Sequence, residues 1–545
     1  MYKVADFFCG GGGFSEGFKL AGFQIAFAVD KWQPAVTTHH ANHSNAITKL
    51  DDVIRISNLS DEDFHKLVPD TEVIIGSPPC TFFSNSNKAG KGDKSLGIQL
   101  IEAYLRIVAR KKIKDNSILK NWVLENVPNV EAYIKDKYTY RELGIDKDGE
   151  LHVKYSSSKV YNAKYFGVAS NRKRYFCGNF LEPIKTVKRD KDIRTVRDIL
   201  NILKAPKYNL EEIIQDPNYK DFKLLSKDVT DHHYIMEIAK FEWEKSKRLK
   251  QDRGYMGKMS FPENLDNPSR TVMATMSCSA RESMIYPYIP EENRYRLPTV
   301  REIASVMSYP LDYRFYGQSK GIKYKLVGNS VPPKMSNAIA QSIAKEHGLR
   351  ISRKYAPIQF HDEALDMFRN LNLNIYLLNI EKPKKETAKF KYHIPYLIIN
   401  TYRVELTNYY SDFDNLNFKW DVEIHKSQGK TAKVYTPSIS LDIIDEEDMK
   451  NIKIFLEDIK VKLVSANQFQ KSFCLTTNER IIGKYIGTYE LLSLVRNFID
   501  TNFKEEDFYR TISVEGIEQL PYIIYVGFYI FLEFVKEINK KGELL

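Results

Sequence analysis

Residues 4–22 read VADFFCGGGGFSEGFKLAG, an apolar strand that runs straight into four glycines and then into a helical pattern. Such a passage places a ligand at the carboxyl end of the strand, where glycine lets the backbone come close to it. The cluster lacks the Gly-Lys-Ser/Thr of a phosphate loop, so it favours approach to an adenosyl or amino-acid moiety over cradling of phosphates. Outward from it, QIAFAVD (24–30), TEVIIGS (71–77), IEAYLRIVARKK (101–112) and NWVLENV (121–127) continue the alternation of short apolar runs with helical patterns. That rhythm predicts an α/β fold, a doubly wound Rossmann-like parallel sheet with helices on both faces. Asp30 ends the second strand, where a carboxylate can accept from two ribose hydroxyls; a lone aspartate there is more often a cap or turn residue.

The chain has 545 residues, more than one hydrophobic core holds. The sheet rhythm covers 1–180 and fades into a mixed, basic stretch, 181–290, expected to be a separate small domain. A compact segment, 291–350, brings RYRLPTVREIASVMSYP (294–310) and KYKLVGNSVPPKMSNAIAQSIAKE (323–346), the latter turning at Asn329–Pro333 into an amphipathic helix. Residues 351–545 begin with a basic linker and continue as strands (HIPYLIINTYRVEL, KWDVEIHK), then helices, an extra α+β domain. Lysine and arginine outnumber the acids by 81 to 70, which suits a polyanionic partner without requiring one. The five cysteines are odd in number and never spaced C-x-x-C, so neither a disulfide framework nor a zinc site is expected, and a reducing cytoplasm fits best. No apolar run is long enough to span a bilayer.

Three strand-end strings carry candidate chemistry. In GSPPC (76–80) two prolines stiffen the backbone before Cys80, and a polar Ser/Asn/Lys/Gly loop follows. An isolated cysteine is more often a small buried apolar residue. The carboxyl of Glu125, in WVLENVPNV (122–130), is expected at the same sheet edge and changes that balance. Carbon 5 of cytosine is a poor nucleophile until something adds to carbon 6, and an acid at ring nitrogen 3 assists the addition. Arg172 and Arg174, in YFGVASNRKRYF (165–176), share one face of an extended chain and are placed to hold a carbonyl or phosphate.

Taken in order, DFFCGGGGFS, AVD, KLDDV, GSPPC, LENV, NAKYFGVASNRKR, LPTVREIASVMSYPLDYRF and LVGNSVPP resemble the motif series of DNA cytosine-5 methyltransferases over about residues 1–350. The resemblance implies that Cys80 attacks carbon 6, that Glu125, with Asn126 beside it, engages nitrogen 3 and the exocyclic amine, and that Arg172 and Arg174 steady the flipped base. It implies that S-adenosyl-L-methionine is lined by Phe8, Gly10, Gly12, Gly13, Asp30, Asp52, Pro79, Leu100 and Asn329, with Asp30 on the ribose and Asp52, or else Asp51, near the adenine amine. No metal is called for. Residues 181–290 take the place of the target-recognition domain, with NPSRTVMATMSCSARESM (267–284) its most family-like part. Double-stranded DNA is the implied partner, bound by a monomer in the cytoplasm, and restriction-modification beside a companion restriction endonuclease is the expected setting. The chain departs from the pattern at Thr81, where the family has Gln, and at Ala169 and Ser170, where it has Pro-Gln.

Alternatives stand beside this reading: a cytosine-5 methyltransferase acting on transfer RNA, and a DNA-binding protein without catalysis, which would not need Cys80, Glu125 and Arg172 together. Residues 351–545 lie outside the resemblance and are expected to form an accessory binding domain. KWDVEIHK (419–426) also brings Asp421, Glu423 and Lys426 near one strand, loosely like a metal-dependent nuclease set.

Overall fold

The computed structural model describes residues 1–83, 94–206, 211–238, 240–251, 258–278, 280–351, 354–360, 383–395, 397–427 and 432–541. The chain forms two compact units, Met1–Asn379 and Ile380–Leu545.

In the first unit β1 (Lys3–Phe7), β2 (Gln24–Asp30), β3 (Ile47–Leu50), β4 (Val73–Gly76) and β5 (Asn121–Asn126) are parallel, in the order β3-β2-β1-β4-β5. Strands Lys173–Asn179 and Lys159–Asn162 extend the sheet antiparallel beyond β5. Successive residues of a strand point to opposite faces, and here both faces are covered. Ala5, Phe7, Val29, Ile74 and Leu124 join one apolar cluster, whereas Val4, Ile25, Val73, Ile75 and Val123 join the other. The winding runs from β1 out to β3 and then restarts at β4, so the loops after β1 and β4 part and leave a crevice at their carboxyl ends. The glycine loop follows β1, and Cys80 lies just beyond β4.

The helix α1 (Gly13–Leu20) packs against the helix Pro333–Glu346 of the returning segment. A Cβ at Gly17 would stand 2.3 Å from Ser336 Cβ, which explains the glycine. Between the two passes through the core lie short antiparallel pairings: Ile213–Gln215 with Lys223–Leu225, and Arg294–Leu297 between Met236–Ile238 and Tyr286–Ile289. The stretch around Ser269 returns to the catalytic core. Ser269 N–H donates to Ala169 O (2.9 Å), and Asn171 N–H donates to Ser269 O (2.7 Å). Tyr355 Oη and Ile358 N–H donate to the two oxygens of Asp312, at 2.5 and 2.8 Å. This stretch, placed by sequence at the start of the C-terminal domain, therefore packs on the first unit, because Asp312 is a buried acceptor that needs donors.

The second unit is α+β. Lys391–His393, Tyr402–Thr407, Asp421–Lys426 and Lys433–Tyr435 form one antiparallel sheet, packed on a bundle around the buried helix Tyr522–Lys540. Val422 and Ile424 face that core, while Asp421, Glu423 and His425 occupy the opposite face. Lys426 is then on the core side of the strand, its ammonium 4.6 Å from the Tyr402 ring. Glu423 is held by Tyr410, Lys391 and His425, so the nuclease-like set of Asp421, Glu423 and Lys426 is not assembled. Among the described residues no group of three or more His, Cys, Asp or Glu is placed to hold a metal ion, and no helix is long and apolar enough to cross a membrane.

Candidate active site

A cavity of about 300 Å³ opens at the crevice between β1 and β4. The glycine loop, the end of β2, the turn after β4, the end of β5 and the segment 325–331 all contribute to its wall. Gly10 and Gly12 have φ of +51° and +79°, and Phe8 sits at +61°. A non-glycine residue held in that region is strained, a feature concentrated at ligand sites. Tyr313 Oη fixes the loop from outside by donating to Gly11 O (2.8 Å).

Asp30 reaches the floor of the cavity. Its Oδ2 accepts from Gly10 N–H at 3.0 Å and its Oδ1 from Trp32 N–H at 2.9 Å. Burial moves its carboxyl above the ordinary aspartate value, against the pull of these donors. The aspartate thus ties the glycine loop to the end of β2 and keeps lone pairs free for hydroxyls of a bound molecule.

On the other side of the crevice Pro78 and Pro79 lead into a single helical turn, Cys80–Phe82. Glu125, 3% exposed at the end of β5, lies across the same cavity. Arg174 Nε is 3.1 Å from Glu125 Oε1, and Ser77 Oγ donates to Glu125 Oε2 at 2.5 Å. Asn126 Nδ2 donates to Pro78 O (2.9 Å), which clamps the cysteine turn to β5. Thiol, carboxyl and guanidinium are therefore brought together by neighbouring strand ends.

Of the residues singled out by sequence, Phe8, Gly10, Gly13, Asp30, Pro79, Cys80, Glu125, Arg174 and Asn329 line this cavity. Five do not. Gly12 is packed beneath the loop, where a Cβ would stand 2.2 Å from Tyr313 Oη. Asp52 caps the helix Val53–Ser57 by accepting from Ile54 N–H (2.8 Å), and its neighbour Asp51 pairs with Arg55. Leu100 is buried on the helix Ser95–Ile113. Asn126 acts on the Pro78 carbonyl. Arg172 is 1% exposed and donates to Val272 O at 3.1 Å. Burial, and then the Arg174 charge, lower its guanidinium to about 9, while Glu125 and Cys80 act in the opposite sense, so Arg172 still feels the charges of the reaction pocket. Sequence reasoning gave no role to Trp32, Lys325, Ser330 or Ser77, which also line the cavity. Their only signal was closeness to Asp30, Asn329 and Cys80. The polar loop expected after Cys80 falls largely in 84–93, outside the described residues.

A doubly wound sheet whose crevice joins a glycine-walled cavity to a cysteine, a carboxylate and an arginine suits a group-transfer enzyme. The C-5 cytosine-specific DNA methylase family matches residues 2–345, and the chain belongs to that family. It is a DNA cytosine-5 methyltransferase. M.MthTI, a type II methyltransferase of Methanothermobacter thermautotrophicus, is 29% identical over 63% of this chain and 97% of its own. M.NgoPII, a type II methyltransferase of Neisseria gonorrhoeae, is 25% identical over 63% and 95%. M.MJ0563P of Methanocaldococcus jannaschii, provisionally assigned as a type II methyltransferase, is 31% identical over 63% and 99%. The solved S. pombe Dnmt2 methyltransferase aligns with 64% of this chain at 15% identity and a TM-score of 0.41. The family match ends at residue 345, so the second unit lies outside it.

Proposed function

We propose that Cys80 adds to carbon 6 of a cytosine extruded from duplex DNA while Glu125 and Arg174 hold the base, and that carbon 5 is methylated in this adduct. The observation that carries the reading is the Arg174–Glu125 pair facing Cys80 in a cavity shared with the glycine loop. The target atom is stacked inside the duplex, so the base must leave the helix, at a cost of about a few kcal/mol.

The residues fit S-adenosyl-L-methionine as donor: a Cβ at Gly10 would meet nothing closer than Phe8 O at 3.9 Å, and Asp30 offers free lone pairs. The donor supplies an electrophilic methyl group on a sulfonium. Phe8, Gly10, Gly13, Asp30, Pro79 and Asn329 would hold it. Cys80 Sγ forms a bond to carbon 6 and drives its electron pair toward carbon 5, while Glu125 hydrogen-bonds nitrogen 3 and relieves the charge that develops in the ring. Carbon 5 takes the methyl group as the donor's sulfonium is left a neutral thioether, then loses its proton, whose bonding pair re-forms the 5,6 double bond and expels the Cys80 thiolate. Arg174 pairs by charge with the carboxyl that meets the base, and Arg172 adds a second buried positive charge beside it.

Residues 181–290 act in this scheme as the target-recognition domain, and residues beyond 350 as an accessory domain. In residues 380–545, 23 lysines and arginines stand against 25 acids, so the excess positive charge that suits a DNA backbone lies in the catalytic part. The type II naming of the relatives favours a host-protecting enzyme that works beside a companion restriction endonuclease, and we propose that it acts as a monomer in the cytoplasm.

The test is transfer of labelled methyl to unmethylated DNA and to bulk transfer RNA, with trapping on DNA carrying 5-fluorocytosine. Fluorine at carbon 5 cannot leave as a proton, so an adduct through Cys80 accumulates. Wild type is expected to label DNA at one short sequence and to be trapped, and Cys80→Ala to do neither. Trapping by Cys80→Ala would move the nucleophile elsewhere.

A further inference from the structure

We infer that Ser77 is a positioning residue for the methyl transfer: its hydroxyl aims the Glu125 carboxyl at the base. The inference rests on the reading of Glu125 as the group that meets cytosine nitrogen 3.

The two oxygens of Glu125 are in different situations. Oε1 is 3.1 Å from Arg174 Nε, a charge contact without hydrogen-bond geometry, and it is a buried oxygen with no hydrogen-bond donor. Oε2 has the Ser77 hydroxyl at 2.5 Å. Among the described residues the one hydrogen bond that sets the rotation of this carboxyl therefore comes from Ser77. A carboxyl that must present one edge to a planar ring gains from such a constraint, because a small error in aim costs rate.

The rigidity of the serine follows from its place in the sheet. Ser77 follows β4 directly, and its N–H donates to Phe7 O (3.2 Å). Pro78 comes next and restricts it to extended conformations. Tyr104 lies beneath, its hydroxyl donating to Val123 O (2.8 Å) and also 3.2 Å from Ile74 O, and its ring would be 2.3 Å from a Cβ at Gly76. The hydroxyl is thus held at a fixed height against the end of β5. Asn126 makes the reciprocal link to Pro78 O, so each strand end orients the functional group of the other: β5 fixes the turn that carries Cys80, and β4 fixes the carboxyl of Glu125.

Ser77→Ala removes a hydrogen bond to a charged acceptor. It is expected to lower kcat by about ten- to a hundred-fold, with KM for DNA and for S-adenosyl-L-methionine within about threefold of wild type. Ser77→Thr keeps the hydroxyl and should recover most of the rate. The double variant Ser77→Ala/Glu125→Gln isolates the route of action: with the carboxyl gone, the serine change should add little further loss. Full additivity in that cycle, or a wild-type kcat in Ser77→Ala, would overturn the inference. If Glu125→Gln alone retains wild-type kcat, the reading of Glu125 fails first. A Ser77→Ala protein that unfolds earlier and loses cofactor binding would show a structural serine instead; thermal unfolding and cofactor titration of both single variants separate that outcome.

Discussion

Gly10 and Gly12 stand two residues apart in one loop, and the same substitution is expected to fail differently at each. At Gly10 the φ of +51° costs an alanine about 1–2 kcal/mol, but the new Cβ points into open cavity, with only Phe8 O at 3.9 Å. At Gly12 the backbone cost is similar, and the Cβ also stands 2.2 Å from the hydroxyl of the fully buried Tyr313. That ring must move, which forfeits its hydrogen bond to Gly11 O, about 1 kcal/mol, and overpacks the core by about 1–3 kcal/mol. Gly12→Ala is therefore destabilised by roughly 3–6 kcal/mol, on the order of 10 °C in Tm for a unit of this size. Gly10→Ala should lose only a few degrees, yet bind S-adenosyl-L-methionine at least about tenfold more weakly, because the Cβ occupies the approach to the loop. Thermal unfolding with and without cofactor, together with calorimetric titration, reads both quantities. A Gly10→Ala protein with wild-type affinity, or a Gly12→Ala protein with wild-type Tm, would refute the assignment of one glycine to ligand approach and the other to packing.

Two carboxyls should show opposite pH linkage. Asp6 is fully buried at the foot of the glycine loop, and burial, partly offset by the hydrogen bond from Ser15 Oγ, raises it from 3.8 to about 7. Its ionised form therefore penalises the fold by about 4 kcal/mol. That penalty is absent below pH 4 and grows as pH rises to 7, so wild type should lose stability relative to Asp6→Asn over that window; parallel curves would sink the idea. Burial alone would raise Glu423, but hydrogen bonds from Tyr410, Lys391 and His425 outweigh it and hold the carboxyl at about 2. Glu423→Gln should therefore be less stable at pH 7, with the gap closing toward pH 2, while methyl transfer persists and wild type shows no magnesium-dependent cleavage; such cleavage, lost in the variant, would instead restore the nuclease reading.

The sheet and the two reactive strand ends were legible because their determinants are local. Apolar runs of strand length fix β1, β4 and β5, and the residues just past each strand must lie at the carboxyl edge of a parallel sheet. Asp52 and Leu100 were not legible, because the direction of a side chain at a helix start or on a long helix depends on what packs there. Asp52 is engaged as a cap and Leu100 is buried. Ser77 was overlooked for the converse reason: a serine before two prolines has no signature until Glu125 arrives from a strand 48 residues later. In the second unit, period-two reasoning applied to KWDVEIHK already separates Lys426 from Asp421 and Glu423. The partners that replace it, Lys391 and Tyr410, come from outside that strand.

Arg172 shows what such distant contacts do for function. Sequence placed it beside Arg174 as a second hand on the base, and the two side chains make separate contacts. Arg174 reaches the cavity and Glu125. Arg172 is buried against Val272 O, in the stretch whose Ser269 exchanges backbone hydrogen bonds with Ala169 and Asn171. Gly328, one residue before Asn329, would meet Met273 O at 2.3 Å if it carried a Cβ. The segment 269–273 therefore touches both the strand that carries the arginines and the helix end that borders the cofactor cavity. A displacement of that segment would be felt at both, because packed cores transmit strain instead of absorbing it. The stretch 269–273 is thus packed on the core although it lies between the arginine block and the returning segment, which is why a boundary with the core cannot be drawn at one residue.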